Sequence, residues 1–332
     1  MSTADVSDFR PKRSAFARFV STYGQELVIA FALVALFVVV SAINPRFLAA
    51  NNLNTIISGN AYIAVAAIGM SMIIITGHID VSIGALIGVL ATISGTIAVS
   101  GYPVWVAWTV PIVIGAAVNA GVGALDAYGR LPSIVVTLGM LSILRGGLVF
   151  VTGGKWINNL PPTFQLAQQR WLDIPSPIWF MVGLTILAFL FMKNTAFGRS
   201  LYAIGGNTEA ARAAGIPVEW RTVQVFAIHG AIGGVATMLF ATQLKVIQST
   251  VPPNLELTII TASVIGGVSI LGGTGTVIGS TLAAILFAAI GSAMIFINVS
   301  PYWLRAVIGV LILVTVLVDM ARRAREIRSA QR

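Results

Sequence analysis

Long apolar runs separated by short polar turns set the rhythm of this chain. Several stretches carry no Asp, Glu, Lys or Arg, among them 27–45, 47–77, 81–125, 174–192, 222–244, 257–304 and 306–318. A helix of about 20 apolar residues crosses a bilayer, so the longest runs must fold back on themselves. Asn44-Pro45 closes a first helix over 26–43, because proline lacks an amide donor and disfavours helix in the residue before it. Residues 51–60 read as a polar, cap-rich return into the apolar phase. Further helices are predicted over 61–76, from the following break to Ser100, over 104–125, from Pro132 onward, and over 178–192, 223–244, 257–271, 277–297 and 302–319. The pattern predicts an all-α, polytopic membrane protein of about ten transmembrane helices.

The longest polar interruption between these runs is 194–220. With its borders it holds Lys193, Arg199, Glu209, Arg212, Glu219 and Arg221, while the apolar stretches on either side are free of charge. Within it, 208–214 reads as a short Ala-rich helix. Asn207 or Thr208 can cap its start, Glu209 suits the positive end, and Gly215 followed by Pro217 stops it. Its alanines, Ala210, Ala211, Ala213 and Ala214, leave the backbone open to close approach by a partner. The plainer alternative is a solvated connector.

Composition sharpens the class. Of 332 residues, 57% are hydrophobic and only 9% charged, a balance that no soluble domain of this size could cover; 33 glycines, 7 tryptophans and 6 tyrosines suit close helix packing with interfacial anchors. The net charge of +9 lies mainly at the ends and in short loops, so it reads as a topology signal and not as a nucleic-acid surface. Arg10, Lys12, Arg13 and Arg18 place segment 1–25 in the cytoplasm, and Arg322, Arg323, Arg325, Arg328 and Arg332 place the tail, 320–332, there too. The number of crossings is then even, with 26–319 the transmembrane domain and 193–222 a cytoplasmic segment. The first apolar run is long and lacks a small-residue cleavage site, so it reads as a retained helix. Cysteine is absent and the two histidines, His78 and His229, stand apart, which leaves no thiolate site and no metal cluster in the pattern.

A few polar residues stand out inside the apolar runs. Asp80, with Ser82, follows Gly77-His78-Ile79; a lone carboxylate there must face protein or water. It reads as an N-cap for the next helix, as part of a broken segment beside a translocation path, or as both. His78 reads as a structural histidine. Asn119 falls inside a predicted helix, where an amide bonds a neighbouring helix; Asp126 and Arg130 mark an interface; Arg145, inside the next helix, needs a partner or a route to the surface. Residues 152–177, with Lys155, Trp156, Trp171, Asp173 and four prolines, form the main external segment. Glu256 precedes Ile265-Gly266-Gly267 and Leu271-Gly272-Gly273-Thr274-Gly275, where glycines allow close helix approach or break the chain. Gly154-Lys155 is not a phosphate loop, since Val149 stands where its first glycine is needed and Trp156 where Ser or Thr is; the later glycines lack dinucleotide-fingerprint spacing. No nucleophile–base pair or metal-ligand set has a recognisable spacing, so no catalytic residue and no metal site is assigned.

In order along the chain, these motifs resemble those of the permease subunits of ribose-type sugar ABC importers in bacteria. Glu209-Ala210-Ala211 followed by Gly215 is similar to the family's ATPase-coupling motif, and the residues given that role are Asn207, Glu209, Ala210, Ala211, Arg212 and Gly215. Residues 77–84 resemble its Gly-Gly-Ile-Asp-Leu-Ser signature, with His78 a departure. Pro132 through Thr137-Leu138-Gly139, and Glu256 with its later glycine pairs, match in order and spacing. Gly153-Gly154-Lys155-Trp156-Ile157 through Leu160-Pro161 looks most like permeases for autoinducer-2 and rhamnose. The resemblance implies a vitamin-B12-importer-like (type II) fold in the inner membrane and a second permease subunit, identical or not. It also implies two ATPase subunits, which carry the ATP and Mg while this chain binds no cofactor, and a periplasmic sugar-binding protein. Candidates for the path or gate are Asp80, Ser82, Asn119 and Glu256, and the structural glycines are Gly77, Gly84, Gly266, Gly267, Gly272, Gly273 and Gly275. The competing reading is an ion-coupled secondary transporter, which would use Asp80 and Glu256 but would not explain the Ala-rich docking helix.

Overall fold

A computed structural model of the chain describes residues 15–304 together with 306–311, 313, 314, 317 and 320. The predicted terminus of the last helix at Asp319, most of segment 1–25 that precedes Ala15, and nearly all of the basic tail lie outside these residues. The described chain is almost entirely helical: α1 (Ala15–Ile43), α2 (Ala50–Ile57), α3 (Ala61–Ile75), α4 (Ile83–Val99), α5 (Val104–Gly129), α6 (Ser133–Thr152), α7 (Ser176–Asn194), α8 (Ala196–Gly206), α9 (Thr208–Ala213), α10 (Val218–Ala241), α11 (Leu255–Ile265) and α12 (Val277–Phe296). Helical residues recur from 304 to 320. Seven spans among the described residues are long and apolar enough to cross a membrane, α2 and α3 together making one of them, with α4 and α11 as shorter apolar helices.

The centre of the bundle is α3. Thirteen of its 15 residues are buried, against two of the 20 in α6. Its sequence, all alanine, isoleucine, methionine and other small or apolar residues, has no polar stripe to turn outward; α7, α8, α10, α11 and α12 pack around it. Two glycines let α10 cross α5 closely. A Cβ at Gly230 of α10 would come 2.0 Å from the Gly115 carbonyl of α5, and one at Gly234 would come 2.4 Å from Ile112 Cα, so these two backbones meet with nothing between them.

Several predicted boundaries move. Residues 51–60, expected as a polar return, are mostly the helix α2, whose Asn52 amide donates to the Phe47 carbonyl at 2.7 Å. Helix α1 starts by Ala15 and not at Glu26, and α10 starts at Val218 and not at 223. Helix α5 runs to Gly129, so Asp126 is inside the helix and buried, where the sequence suggested an interface after it. Helix α11 ends at Ile265 instead of 271, because Gly266-Gly267 turns the chain. Gly266 crosses so close to α12 that a Cβ there would lie 2.4 Å from Ser280 Cα.

At 11 residues, α11 is about 16 Å long, too short to cross alone. The chain before it covers the remaining depth without a helix. Gly95, Gly88 and Gly84 of α4 lie in turn against Ile247, Val251-Pro252 and Glu256, so the segment 247–256 descends along a glycine-lined face of α4. Segment 153–175 caps the same end of the bundle as Ile247. Ile157 and Ile247 exchange two backbone hydrogen bonds of 2.8 and 3.0 Å, Trp108 donates to the Phe164 carbonyl, and Arg170–Trp171 pairs with Ile174–Pro175 in a small hairpin.

Candidate functional site

The connector between α7 and α10 is a built elbow. Thr195 caps α8 by accepting from Gly198 N–H at 3.0 Å, and Asn207 caps α9 by accepting from Ala210 N–H at 2.9 Å. Helix α8 was missed by the sequence reading, although Phe197, Leu201 and Ile204 already recur at helical spacing. Gly215, at φ +82°, reverses the chain: its N–H bonds the Arg212 carbonyl at 3.0 Å and the Ile216 N–H bonds the Ala211 carbonyl at 3.1 Å, a Schellman stop.

The elbow is pinned from both sides. Arg212 reaches Glu209 at 3.0 Å and Glu219 at 2.6 Å, clipping α9 to the start of α10. Beneath it, Ile204, Ala211 and Val218 form a small buried cluster with Ile216 against it. Ala211 therefore packs inward, contrary to the expectation that all four alanines present their backbone outward. Ala210, Ala213 and Ala214 are exposed, as is Glu209.

Directly behind the elbow lies a knot of glycines. A Cβ at Gly205 of α8 would fall 1.8 Å from the Ile75 carbonyl oxygen and 2.5 Å from Gly273 N, and Gly273, at φ +77°, donates its N–H to that carbonyl at 2.8 Å. Gly272 approaches Gly77 closely, Tyr202 donates to the Gly275 carbonyl at 2.8 Å, and Gly267 lies against Gln25 of α1. Thr276, in the same loop, donates to Glu26. The α8 end of the elbow thus touches both the break after α3 and the loop after α11.

That break leads to Asp80, which is fully buried together with Ser82, Asn119 and His229. One carboxylate oxygen accepts from Ser82 N–H at 2.7 Å and from Ser82 Oγ at 2.6 Å; the other accepts from the Asn119 amide at 3.0 Å and faces His229 Nε2 at 3.3 Å. Asp80 is therefore not the N-cap of α4, a place taken by Ser82, whose hydroxyl is spent on the carboxylate. His229 was not foreseen as a partner. Gly69 leaves the space for its ring, since a Cβ there would lie 2.6 Å from Nδ1. The preceding residue, Ile79, is held by α6: its N–H bonds Ser133 Oγ and its carbonyl accepts from Thr137 Oγ1, both at 3.3 Å. His78 contacts Thr76 at 3.1 Å and Asp126 at 3.5 Å. Asp80 and its partners thus tie the broken backbone after α3 to α5 and α10.

Glu256 stands apart from that cluster. It is 5% exposed, one oxygen lies 3.8 Å from the Arg145 guanidinium of α6, and the other, without a hydrogen-bond partner, presses against Gly84, where a Cβ would come within 2.4 Å. Gly84 is the residue that makes room for this carboxylate. Among the described residues, no three His, Cys, Asp or Glu side chains converge as a metal site requires.

Apolar helices interrupted by glycines, carboxylates buried among them and a polar elbow fixed at one end fit a multi-pass membrane transport subunit. Comparison with known proteins narrows the class. The family described as branched-chain amino acid transport system, permease component, matches residues 52–316, and the chain belongs to it. The autoinducer 2 import system permease protein LsrC of Salmonella typhi is 34% identical over 296 residues, 89% of this chain and 85% of that protein. Its counterpart in Photorhabdus laumondii is 32% identical over 297 residues, 89% of each, and that of Shigella flexneri 32% over 296 residues, 89% of this chain and 86% of that protein. No solved structure matches significantly. The chain is a permease subunit of an ATP-binding-cassette import system, a multi-pass protein of the inner membrane.

Proposed function

We propose that this permease imports a small sugar-like solute of the autoinducer-2, ribose or rhamnose kind, and that it is driven through the elbow Asn207–Gly215 by a separate ATPase that seats on it. The observation that carries the reading is the elbow itself. Glu209, Ala210, Ala213 and Ala214 form an exposed surface on a helix whose ends, underside and Arg212 clip are all fixed from within, so a push on it is passed on and not absorbed. The push reaches the glycine knot at Gly205 and Gly273, and through Gly77 the segment 77–82. Asp80, Ser82 and Asn119 act there as the pin of a gate, and the two-state change of the helices is the response. Relatives named for autoinducer 2 import support the solute class. The wider assembly in this reading has two permease subunits of type II fold with both termini in the cytoplasm and two ATPase subunits that hold the ATP and Mg. A periplasmic sugar-binding protein docks on the face capped by 153–175. The chain itself catalyses nothing.

Against an ion-coupled transporter stands Asp80, whose two oxygens are both engaged by Ser82 and Asn119; Glu256, with one oxygen unpartnered, does not separate the two readings, and the ATP dependence of uptake does. The test is a pull-down of the tagged chain from its native host in mild detergent, with ATPase activity and solute uptake measured on the reconstituted eluate. Ala210→Arg, on the exposed face, is expected to lose the ATPase subunit and uptake while eluting as wild type does. Wild-type uptake without ATP, or an Ala210→Arg variant that keeps both ATPase and uptake, would overturn the proposal.

A further inference from the structure

We propose that the hairpin Arg170–Pro175 is a lipid anchor, which sets Trp171 and Leu172 into the headgroup layer of the leaflet at the end of the bundle opposite the elbow. The proposal goes beyond the importer reading and does not depend on it.

The turn of the hairpin is strained. Trp171 pairs with Ile174, so Leu172 and Asp173 make a two-residue loop, and both have positive φ, +52° and +62°. Such a loop favours Asn, Asp and Gly, the residues that tolerate this backbone region. Asp173 suits it. Leu172 does not, because its Cβ crowds the following carbonyl oxygen, and its side chain is 86% exposed. A strained position given to a large apolar side chain that its own chain leaves bare marks a residue whose partner lies outside the chain.

That partner follows from how the hairpin is rooted. Ser176, the first residue of α7, donates its N–H to the Gln169 carbonyl at 2.9 Å and its hydroxyl to the Leu166 carbonyl at 2.6 Å. In the first turn of α7, Trp179 donates its indole N–H to the Trp171 carbonyl at 3.2 Å, and the Trp171 ring lies 5.8 Å from that of Phe180. Trp179 heads the exposed face of α7, which continues through Val182, Gly183, Ile186, Leu187 and Leu190 to Lys193. Between its two ends this face has no polar side chain over about four turns, and it is bounded by Trp and Lys, the pattern of a helix face that meets lipid.

The depth agrees. The 19 residues of α7 span about 28 Å, close to the thickness of a hydrocarbon core, so Trp179 stands near its boundary and the hairpin lies just beyond, at headgroup level. The Trp179 bond holds Trp171 at the head of the lipid-facing stripe, so the tip overhangs lipid and not the centre of the bundle. Trp171, Leu172 and Ile174 are exposed together, an apolar group with an amphipathic indole of the kind that settles at a membrane surface. The rest of 153–175 is left to the binding protein proposed above.

The test is spin-label collision in the complete transporter, reconstituted in vesicles of phosphatidylethanolamine and phosphatidylglycerol with no binding protein added. The absence of cysteine allows one nitroxide at a time. A label at Leu172→Cys is expected to favour collision with oxygen, which concentrates among acyl chains, over a water-soluble nickel chelate. Its ratio should be several-fold above that of Thr163→Cys, an exposed position on the same segment, and should approach that of Ile186→Cys on α7. Leu172→Asn suits the turn better but loses the anchor, so a label at Ile174→Cys in that background should lose most of its preference for oxygen. A Leu172→Cys label that meets the nickel chelate as Thr163→Cys does would put the tip in water. One shielded from both reagents, with or without the binding protein, would make the tip a protein contact. Either result, or an Ile174→Cys label indifferent to Leu172→Asn, overturns the proposal.

Discussion

Removing the Asp80 carboxylate should unfold the centre of the bundle, and the size of the effect can be worked from its contacts. Asp80→Ala strands the Ser82 N–H, the Ser82 hydroxyl and one Asn119 N–H in a region with no exposed surface. Each unsatisfied buried donor costs about 1–3 kcal/mol, and the hydroxyl can turn elsewhere, so the two remaining donors make the loss of order 2–6 kcal/mol. Asp80→Asn is different. Its oxygen still accepts from Ser82, and its new amide meets Asn119, whose Oδ1 has no partner and can turn to accept, so the expected cost is about 1 kcal/mol. Titration of the purified chain with SDS in mixed micelles, read by tryptophan fluorescence, should show a large fall in resistance for alanine and a small one for asparagine. The double variant Asp80→Asn, Asn119→Ala should be worse than the sum of its parts, because it removes the rescue. Equal resistance of the alanine and asparagine variants would refute the reasoning.

Other consequences follow from the elbow and the knot behind it. Asn207→Ala removes the cap of α9 and should cost about 1 kcal/mol, seen as faster amide hydrogen exchange confined to α9. Gly215→Ala meets no neighbour but must hold φ +82°, which should cost about 1–2 kcal/mol and show as the same local loosening, with ATPase co-purification reduced. Gly205→Ala forces a methyl into the Ile75 carbonyl and should abolish uptake while the exposed face of α9 still recruits the ATPase. Ala211→Arg is expected to reduce detergent stability more than Ala210→Arg, as the first packs inward and the second does not.

The sequence reading reached the helices because their signal is composition over about 20 residues, and the caps of α9 because capping is local. It placed Asp80 and Asn119 as candidates from their isolation in apolar runs. It missed their meeting, and His229 with them, because α5 and α10 pack through Gly115 against Gly230 and Ile112 against Gly234, positions more than a hundred residues apart in the chain. It overran α11 because Gly266-Gly267 breaks a run that hydropathy alone leaves continuous. The inward turn of Ala211 was equally hidden: in a helix of six residues, which alanine faces the protein depends on Ile204 and Val218 beyond its ends.

The unwound segment before α11 also bears on how the protein is made. Residues 247–254 carry backbone amides and carbonyls that lipid cannot satisfy, and they rest on a face of α4 laid down by Gly88 and Gly95, with Gly84 receiving the first turn of α11. Neither this segment nor the short α11 could partition into the bilayer by its own hydropathy. Insertion of the carboxyl-terminal third therefore depends on a helix synthesised more than 150 residues earlier already standing in the membrane. A nascent chain that is truncated or mutated at α4 should deliver α11 to the aqueous phase, where quality-control proteases would find it.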